Sequence, residues 1–205
     1  RAENMVENTQ NADVFVEVSG ILSACATNLL KVAGDLRLMS SGPDAGLGEI
    51  TLPPVQAGSS IMPGKVNPVI PEAVSQAALS VIGHHAVIAQ ACGMGSLELN
   101  PFLPLVADCL LHSLQLLDNG CTLLAERCVQ GISVNRQRCR SAVNGATATI
   151  TALIDVLGYE TAEAVLRESQ TTNQSLRDVV IRRGYLTGEA FDETISADAV
   201  IRLGS

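Results

Sequence analysis

The sequence predicts an all-α protein: long helices of an oligomeric helical bundle, followed by a small C-terminal domain of short helices. Three observations carry this. Apolar residues recur at helical spacing over long stretches, and turn formers are concentrated in a few places. Outside the first twenty residues no alternating run reaches the length of a strand. With 47% hydrophobic and 17% charged residues in 205, the chain has the material for a packed core and not the composition of a disordered segment.

The first helix is expected over roughly 2–39. No proline interrupts it, and Ile21, Cys25, Leu29 and Ala33 mark one face at four-residue spacing. That face narrows to a small residue at Ala33, which suits close approach to a neighbouring helix. Residues 40–71 then hold eleven glycines and prolines, which forbid any long element. Leu47, Ile50, Leu52, Val55, Ile61 and Met62 would anchor this segment, so it reads as a functional loop. A second long helix is expected over 72–92, ending at Gly93-Met94-Gly95. A third runs from about Pro101 to Cys128, with Pro104 in its first turn and Gly131 closing it. Shorter helices follow near 134–143, 145–156, 160–169, 174–183 and 187–195, with Thr172, Asn173 and Thr187 as expected N-caps.

These elements divide the chain into a long-helix part, 1–132, and a small helical domain, 133–205. Three long helices that are apolar on more than one face cannot hide that surface in a domain of this size, so a homo-oligomer is expected. The chain begins at Arg1 rather than Met, as a piece of a longer protein would.

Charge and composition exclude several partners. Thirteen basic against twenty-one acidic residues give a net charge of −8, which phosphate backbones and anionic headgroups repel. Three Phe, two Tyr and no Trp leave no platform for stacking bases. Neither nucleic acid nor membrane is expected as a partner. The uncharged stretch between Glu72 and Glu98 is long enough to span a bilayer. Ser75, Gln76, Ser80, His84, His85, Gln90 and Ser96 spread polarity around it, so it reads as a helix buried in protein. Six cysteines without a C-x-x-C pair read as reduced thiols packed as small hydrophobes, which implies a cytoplasmic location.

The loop contains Gly58-Ser59-Ser60-Ile61-Met62-Pro63-Gly64-Lys65-Val66-Asn67-Pro68. It presents two hydroxyls, a cation and a carboxamide. Backbone N–H groups near Gly58, Ser60 and Gly64 can converge on an anion, Lys65 adds a full charge, and Asn67 can donate its amide. Asn67-Pro68 then enters a helix whose N-terminal dipole also favours an anion. On spacing alone a second reading stands beside this one, with Ser59 and Ser60 capping local turns and Lys65 solvated. A P-loop is excluded, because Gly58 and Gly64 are too far apart and Val66 replaces the hydroxyl.

This eleven-residue string resembles the signature loop of the aspartase/fumarase superfamily, whose members reversibly eliminate a group β to a carboxylate. Asp35-Leu36-Arg37-Leu38, Ser41-Gly42-Pro43, Leu97-Glu98-Leu99-Asn100 and Gly184-Tyr185-Leu186-Thr187 resemble further landmarks, so the likeness spans the chain. Lys65-Val66-Asn67 resembles aspartases and fumarases. Val69-Ile70-Pro71-Glu72 is similar to the aspartase branch, where fumarases tend to carry Thr-Gln-Cys before the glutamate.

The resemblance implies that Ser59 is the general base, with Ser60, Lys65 and Asn67 binding a small dicarboxylate substrate. Gly58, Met62, Gly64 and Glu72 would support them, the glycines as part of a lid and Glu72 by contacting a histidine of another subunit. It also implies a tetramer and no cofactor; metal activation is a trait of some members, but the sequence shows no ligand cluster, so no metal is expected. Family active sites combine segments from three subunits, two of which precede Arg1, so these residues alone are expected to be inactive. Fumarate hydratase chemistry and a non-catalytic oligomerising scaffold are the competing readings. Two departures stand out: Asp44 replaces a usual Arg, and His84-His85 replaces a usual Asn-Asp. The adjacent histidines point about 100° apart on a helix and cannot together chelate one ion, so a structural role in a core or interface is expected.

Overall fold

A computed structural model describes residues 3–42, 45–56, 65–146, 149–196 and 199. The chain forms two compact units, Arg1–Val134 and Asn135–Ser205.

The first unit is built on three long helices, α2 (Asp13–Met39), α3 (Val69–Gly93) and α4 (Leu103–Arg127), preceded by the short α1 (Met5–Gln10). The single helix expected over 2–39 is therefore broken. Asn11 ends α1 in an extended conformation, and Ala12 restarts the chain with its methyl buried. Asn4 caps α1 by accepting the N–H groups of Val6 and Glu7. Helix α3 starts three residues earlier than the sequence suggests. Pro71 falls in its first turn, where a missing N–H costs nothing.

α3 runs antiparallel to both neighbours. Near one end Val74 clusters with Ala33, Leu36, Leu52, Leu124 and Cys128. In the middle Ala26, Ala78, Val81 and Leu117 pack together, and at the far end Ile88 and Ala91 meet Val106 and Cys109. Ala26, Ala33 and Ala78 are fully buried small residues, and they let the helix axes approach closely, as Ala33 was expected to do. Each buried Val, Leu or Ile contributes roughly 1.5–3 kcal/mol. α2 is long and apolar enough to meet the length and composition criterion for a membrane span, but here its inner stripe (Ser19, Leu22, Ala26, Leu29, Ala33, Leu36) packs in the bundle. A second stripe (Val14, Val18, Ile21, Cys25, Val32) lies exposed on its other side.

A polar layer interrupts the core. His85 bonds to Ser19 of α2 at 2.9 Å, and His84 bonds to Ser113 of α4 at 3.0 Å. Adjacent histidines thus serve opposite neighbours, which is the structural role their 100° divergence suggested.

The connection from α3 to α4 is held by Asn100, which is 2% exposed. Its amide donates to the Ala91 and Cys92 carbonyls at the end of α3, and its oxygen accepts from Phe102 N–H at the start of α4. The preceding turn places Leu97 at φ 50°, between paired Ser96 and Leu99.

After α4 a 3₁₀ turn (Val129–Gly131) leads into β2 (Ser133–Val134), which pairs antiparallel with β1 (Ile50–Thr51). Two residues per strand leave no periodicity to detect, so this pairing was not expected. Gly131 permits it, because a Cβ there would lie 2.9 Å from Cγ of Pro53.

The second unit comprises α5 (Arg136–Gly145), α6 (Thr149–Leu157), α7 (Tyr159–Thr172), α8 (Leu176–Arg182) and α9 (Gly188–Thr194). Its core is Leu153, Val165, Leu176, Val179, Val180 and Phe191. Thr187 caps α9 as expected. Thr172 and Asn173 do not cap α8: Thr172 ends α7, Asn173 follows in the left-handed region, and Ser175 is the cap. Asn tolerates that conformation, so it terminates a helix as readily as it starts one. α8 closes in a Schellman motif, with Gly184 at φ 70° and Tyr185 N–H donating to the Val180 carbonyl. Glu168 of α7 accepts from Arg182 and Arg183, and Arg177 of α8 donates two hydrogen bonds to Asp192 of α9.

Of the cysteines, Cys109 and Cys128 are buried as expected. Cys92 and Cys139 are only partly buried, and Cys25, placed by sequence in an apolar helical run, and Cys121 are exposed, against the expectation that all six pack as small hydrophobes.

Candidate active site

The breaker-rich segment is pinned to the bundle at both ends. On the entry side Ser41 Oγ accepts from Leu47 N–H, Glu49 N–H donates to the Met39 carbonyl, and Leu52 is buried against α2, α3 and α4. On the exit side Ile70 packs against the same cluster. Of the expected anchors, Leu52 is buried and Ile50 partly so, whereas Leu47 and Val55 are exposed. Ile61, Met62, Gly58, Ser59, Ser60 and Gly64 lie outside the described residues, as does Asp44.

Lys65 is exposed and Asn67 half-buried as the chain approaches α3. The Asn67 carbonyl accepts from Val69 N–H at 2.9 Å, a local turn that leaves its carboxamide to other partners. Pro68 precedes the helix and provides no side-chain cap, so the positive end of the α3 dipole is not quenched by a hydroxyl or carboxylate at that position. Asn67 lines a crevice with Leu52, Pro53, Val55, residues 68–71, Arg127 and Cys128. Arg127 therefore adds a second basic side chain on the same side as Asn67. In the sequence it reads only as a lone basic residue in the last turn of a helix, which carries no signal for a site.

Glu72, in the first turn of α3, meets Arg37 of α2 at 3.8 Å. Lys65, Asn67, Arg127, Glu72 and Arg37 are thus all on the elements that meet at this end of the bundle. An ammonium, a carboxamide and helix N–H groups are donor types that a carboxylate takes.

Comparison with known proteins decides the family. Residues 1–83 match the family described as Lyase, and residues 150–202 match that described as Fumarase C C-terminus. The aspartate ammonia-lyase of Bacillus subtilis is 45% identical over 191 residues, covering 93% of this chain and 40% of that protein. The chain belongs to the aspartase/fumarase superfamily.

Solved structures agree. A fumarate lyase:delta crystallin from Brucella melitensis in native form superposes with a TM-score of 0.86 at 46% identity, covering 94% of this chain and 43% of that one. The recombinant class II fumarase of Schistosoma mansoni gives 0.81 at 35% identity, with 95% and 41% covered. The chain spans about 40% of the length of the curated relatives it matches. Within this superfamily the all-α architecture read from the sequence is the observed one.

Proposed function

We propose that this chain is the C-terminal part of an aspartate ammonia-lyase, which removes ammonia from L-aspartate to give fumarate. The observation that carries the reading is the 45% identity to an aspartate ammonia-lyase along nearly the whole chain, with the Gly58–Pro68 string intact. The lower identity to a class II fumarase, 35%, and Val69-Ile70-Pro71-Glu72 favour ammonia over water as leaving group.

In this mechanism Ser59 acts as an alkoxide, stabilised by neighbouring N–H groups and Lys65. It takes the proton from the carbon adjacent to the β-carboxylate. The electron pair moves onto that carboxylate, giving an aci-carboxylate dianion held by Lys65, Asn67 and Ser60. Collapse of the dianion forms the carbon–carbon double bond and breaks the bond to nitrogen, which departs as ammonia. Donors aimed at developing charge are each worth ~10²–10³ in rate. Glycines 58 and 64 let the loop close and exclude water, and Met62 and Glu72 support it.

The exposed stripe on α2 supports a homo-oligomer, a tetramer in the full-length protein, in which long helices of several chains pack together. The thiols of Cys25, Cys92, Cys109, Cys121 and Cys128 are compatible with a reducing, cytoplasmic setting.

The test uses the full-length protein with L-aspartate and L-malate in parallel. Fumarate and ammonia from aspartate, abolished in Ser59→Ala and sharply reduced in Lys65→Ala, is the expected result. Turnover of malate alone assigns a fumarate hydratase instead. Unaltered substrate binding by Lys65→Ala with no turnover of either substrate assigns a scaffold.

A further inference from the structure

We propose that His84 and His112 form a binding site for a late first-row divalent cation, Zn²⁺ or Cu²⁺, on the flank of the α3–α4 pair. The site is separate from the Lys65–Asn67 region and does not rest on the proposed lyase activity.

The two imidazoles come from different helices, with ring centroids 5.3 Å apart and planes tilted by 40°. Two imidazoles bound to one ion at about 2.0–2.1 Å place each ring centroid roughly 3.2 Å from the metal. A centroid separation of 5.3 Å then subtends about 110° at the ion, the angle of a tetrahedral site. A pair adjacent on one helix, such as His84 and His85, cannot reach that arrangement, whereas the separation of a pair bridging two helices allows it.

Hydrogen bonding fixes the ring state that metal binding requires. Ser113 is 2% exposed, and its hydroxyl donates to the Cys109 carbonyl at 2.7 Å. A serine has one proton, so toward His84 Nδ1, 3.0 Å away, it acts as acceptor. His84 Nδ1 therefore carries hydrogen, which leaves Nε2 as the atom available to an ion. A buried partner that orients the ring through the non-ligating nitrogen is the usual support of a metal-bound histidine. His112 is exposed and makes no hydrogen bond among the described residues, so its ring is uncommitted.

Imidazole nitrogen selects Zn²⁺ and Cu²⁺ over Mg²⁺ or Ca²⁺. Asp108 lies one helical turn before His112, and its charge, with the net −8 of the chain, draws cations to this flank. Among the described residues no group of three His, Cys, Asp or Glu side chains converges to hold an ion. The site is thus a two-histidine anchor whose remaining positions go to water, and an ion bound there would clamp α3 to α4.

The experiment is a calorimetric titration of chelator-stripped full-length protein with Zn²⁺, paired with Cu²⁺ electron paramagnetic resonance. His112→Gln is expected to lose one equivalent of bound Zn²⁺ per subunit relative to wild type, as is His84→Gln. His85→Gln, whose ring faces Ser19, should keep it. Ser113→Ala should weaken that equivalent about tenfold by releasing the ring. The Cu²⁺ spectrum should show two nitrogen ligands that fall away in His112→Gln. An isotherm for His112→Gln indistinguishable from wild type overturns the proposal, as does wild type without saturable binding. Should His84→Gln unfold, His112→Gln decides alone, because His112 is exposed and makes no hydrogen bond among the described residues.

Discussion

Arg37 of α2 and Glu72 of α3 face each other with a guanidinium nitrogen 3.8 Å from a carboxylate oxygen, both side chains nearly half exposed. A pair so wet is worth less than about 1 kcal/mol. Glu72→Gln should therefore leave the urea midpoint of the full-length protein almost unchanged. Its rate with aspartate should nonetheless fall by tenfold or more, on the order of one charged group near the chemistry. Equal losses of stability and rate would show that Glu72 only braces the bundle.

Asn100 ties the end of one long helix to the start of the next through three hydrogen bonds while fully buried. Asn100→Ala removes the partner of the Cys92 carbonyl and of Phe102 N–H, while the Ala91 carbonyl keeps Met94 N–H, and should destabilise the protein by about 2–3 kcal/mol. Asn100→Asp should be worse at neutral pH, because a carboxylate cannot donate to the Ala91 and Cys92 carbonyls. Chemical denaturation of both variants is the measurement.

Gly131 gives way to the ring of Pro53. Gly131→Ala should cost about 1–3 kcal/mol by overpacking at the two-stranded ladder. Replacing Pro53 by Ala in the same protein should recover part of that loss, since the two residues share one contact. A double-mutant cycle reads this coupling directly.

The Arg177 guanidinium, donating to both oxygens of Asp192, holds that carboxyl below the usual carboxylate range. A depressed folded-state value means the pair stabilises the second unit above the unfolded carboxylate value. That contribution is lost as pH falls through the lower folded value. Asp192→Asn should lower stability at neutral pH and make the acid limb of a stability–pH curve shallower. The partly exposed setting keeps the effect small and salt-sensitive.

Burial pushes up the thiols of Cys109 and Cys128, with Asp108 adding to the effect at Cys109. Neither should react with iodoacetamide at neutral pH until the protein is unfolded, as reaction requires thiolate and access. Mass spectrometry after brief labelling, with and without urea, checks this.

The long helices were legible because their apolar residues repeat every three to four positions, although the face expected at Ile21, Cys25, Leu29 and Ala33 splits: Leu29 and Ala33 enter the core, while Ile21 and Cys25 lie on the exposed stripe. The Lys65–Asn67 segment was legible as a breaker-rich stretch with a lysine and a carboxamide. What stayed hidden depends on partners distant in sequence. Ser19 and His85 are 66 residues apart, and Asn100 looks like any loop asparagine until the ends of two helices converge on it. The break at Asn11–Ala12 was missed because absence of proline does not guarantee continuity. Asn173 was misassigned because one residue type serves both ends of a helix.

The exposed stripe of Val14, Val18, Ile21 and Val32 on α2, if covered by like copies as proposed, would make dilution act as a denaturant. With like copies covering that stripe, mass action ties the melting midpoint to how crowded the solution is, and thin solutions should unfold at lower temperature than dense ones.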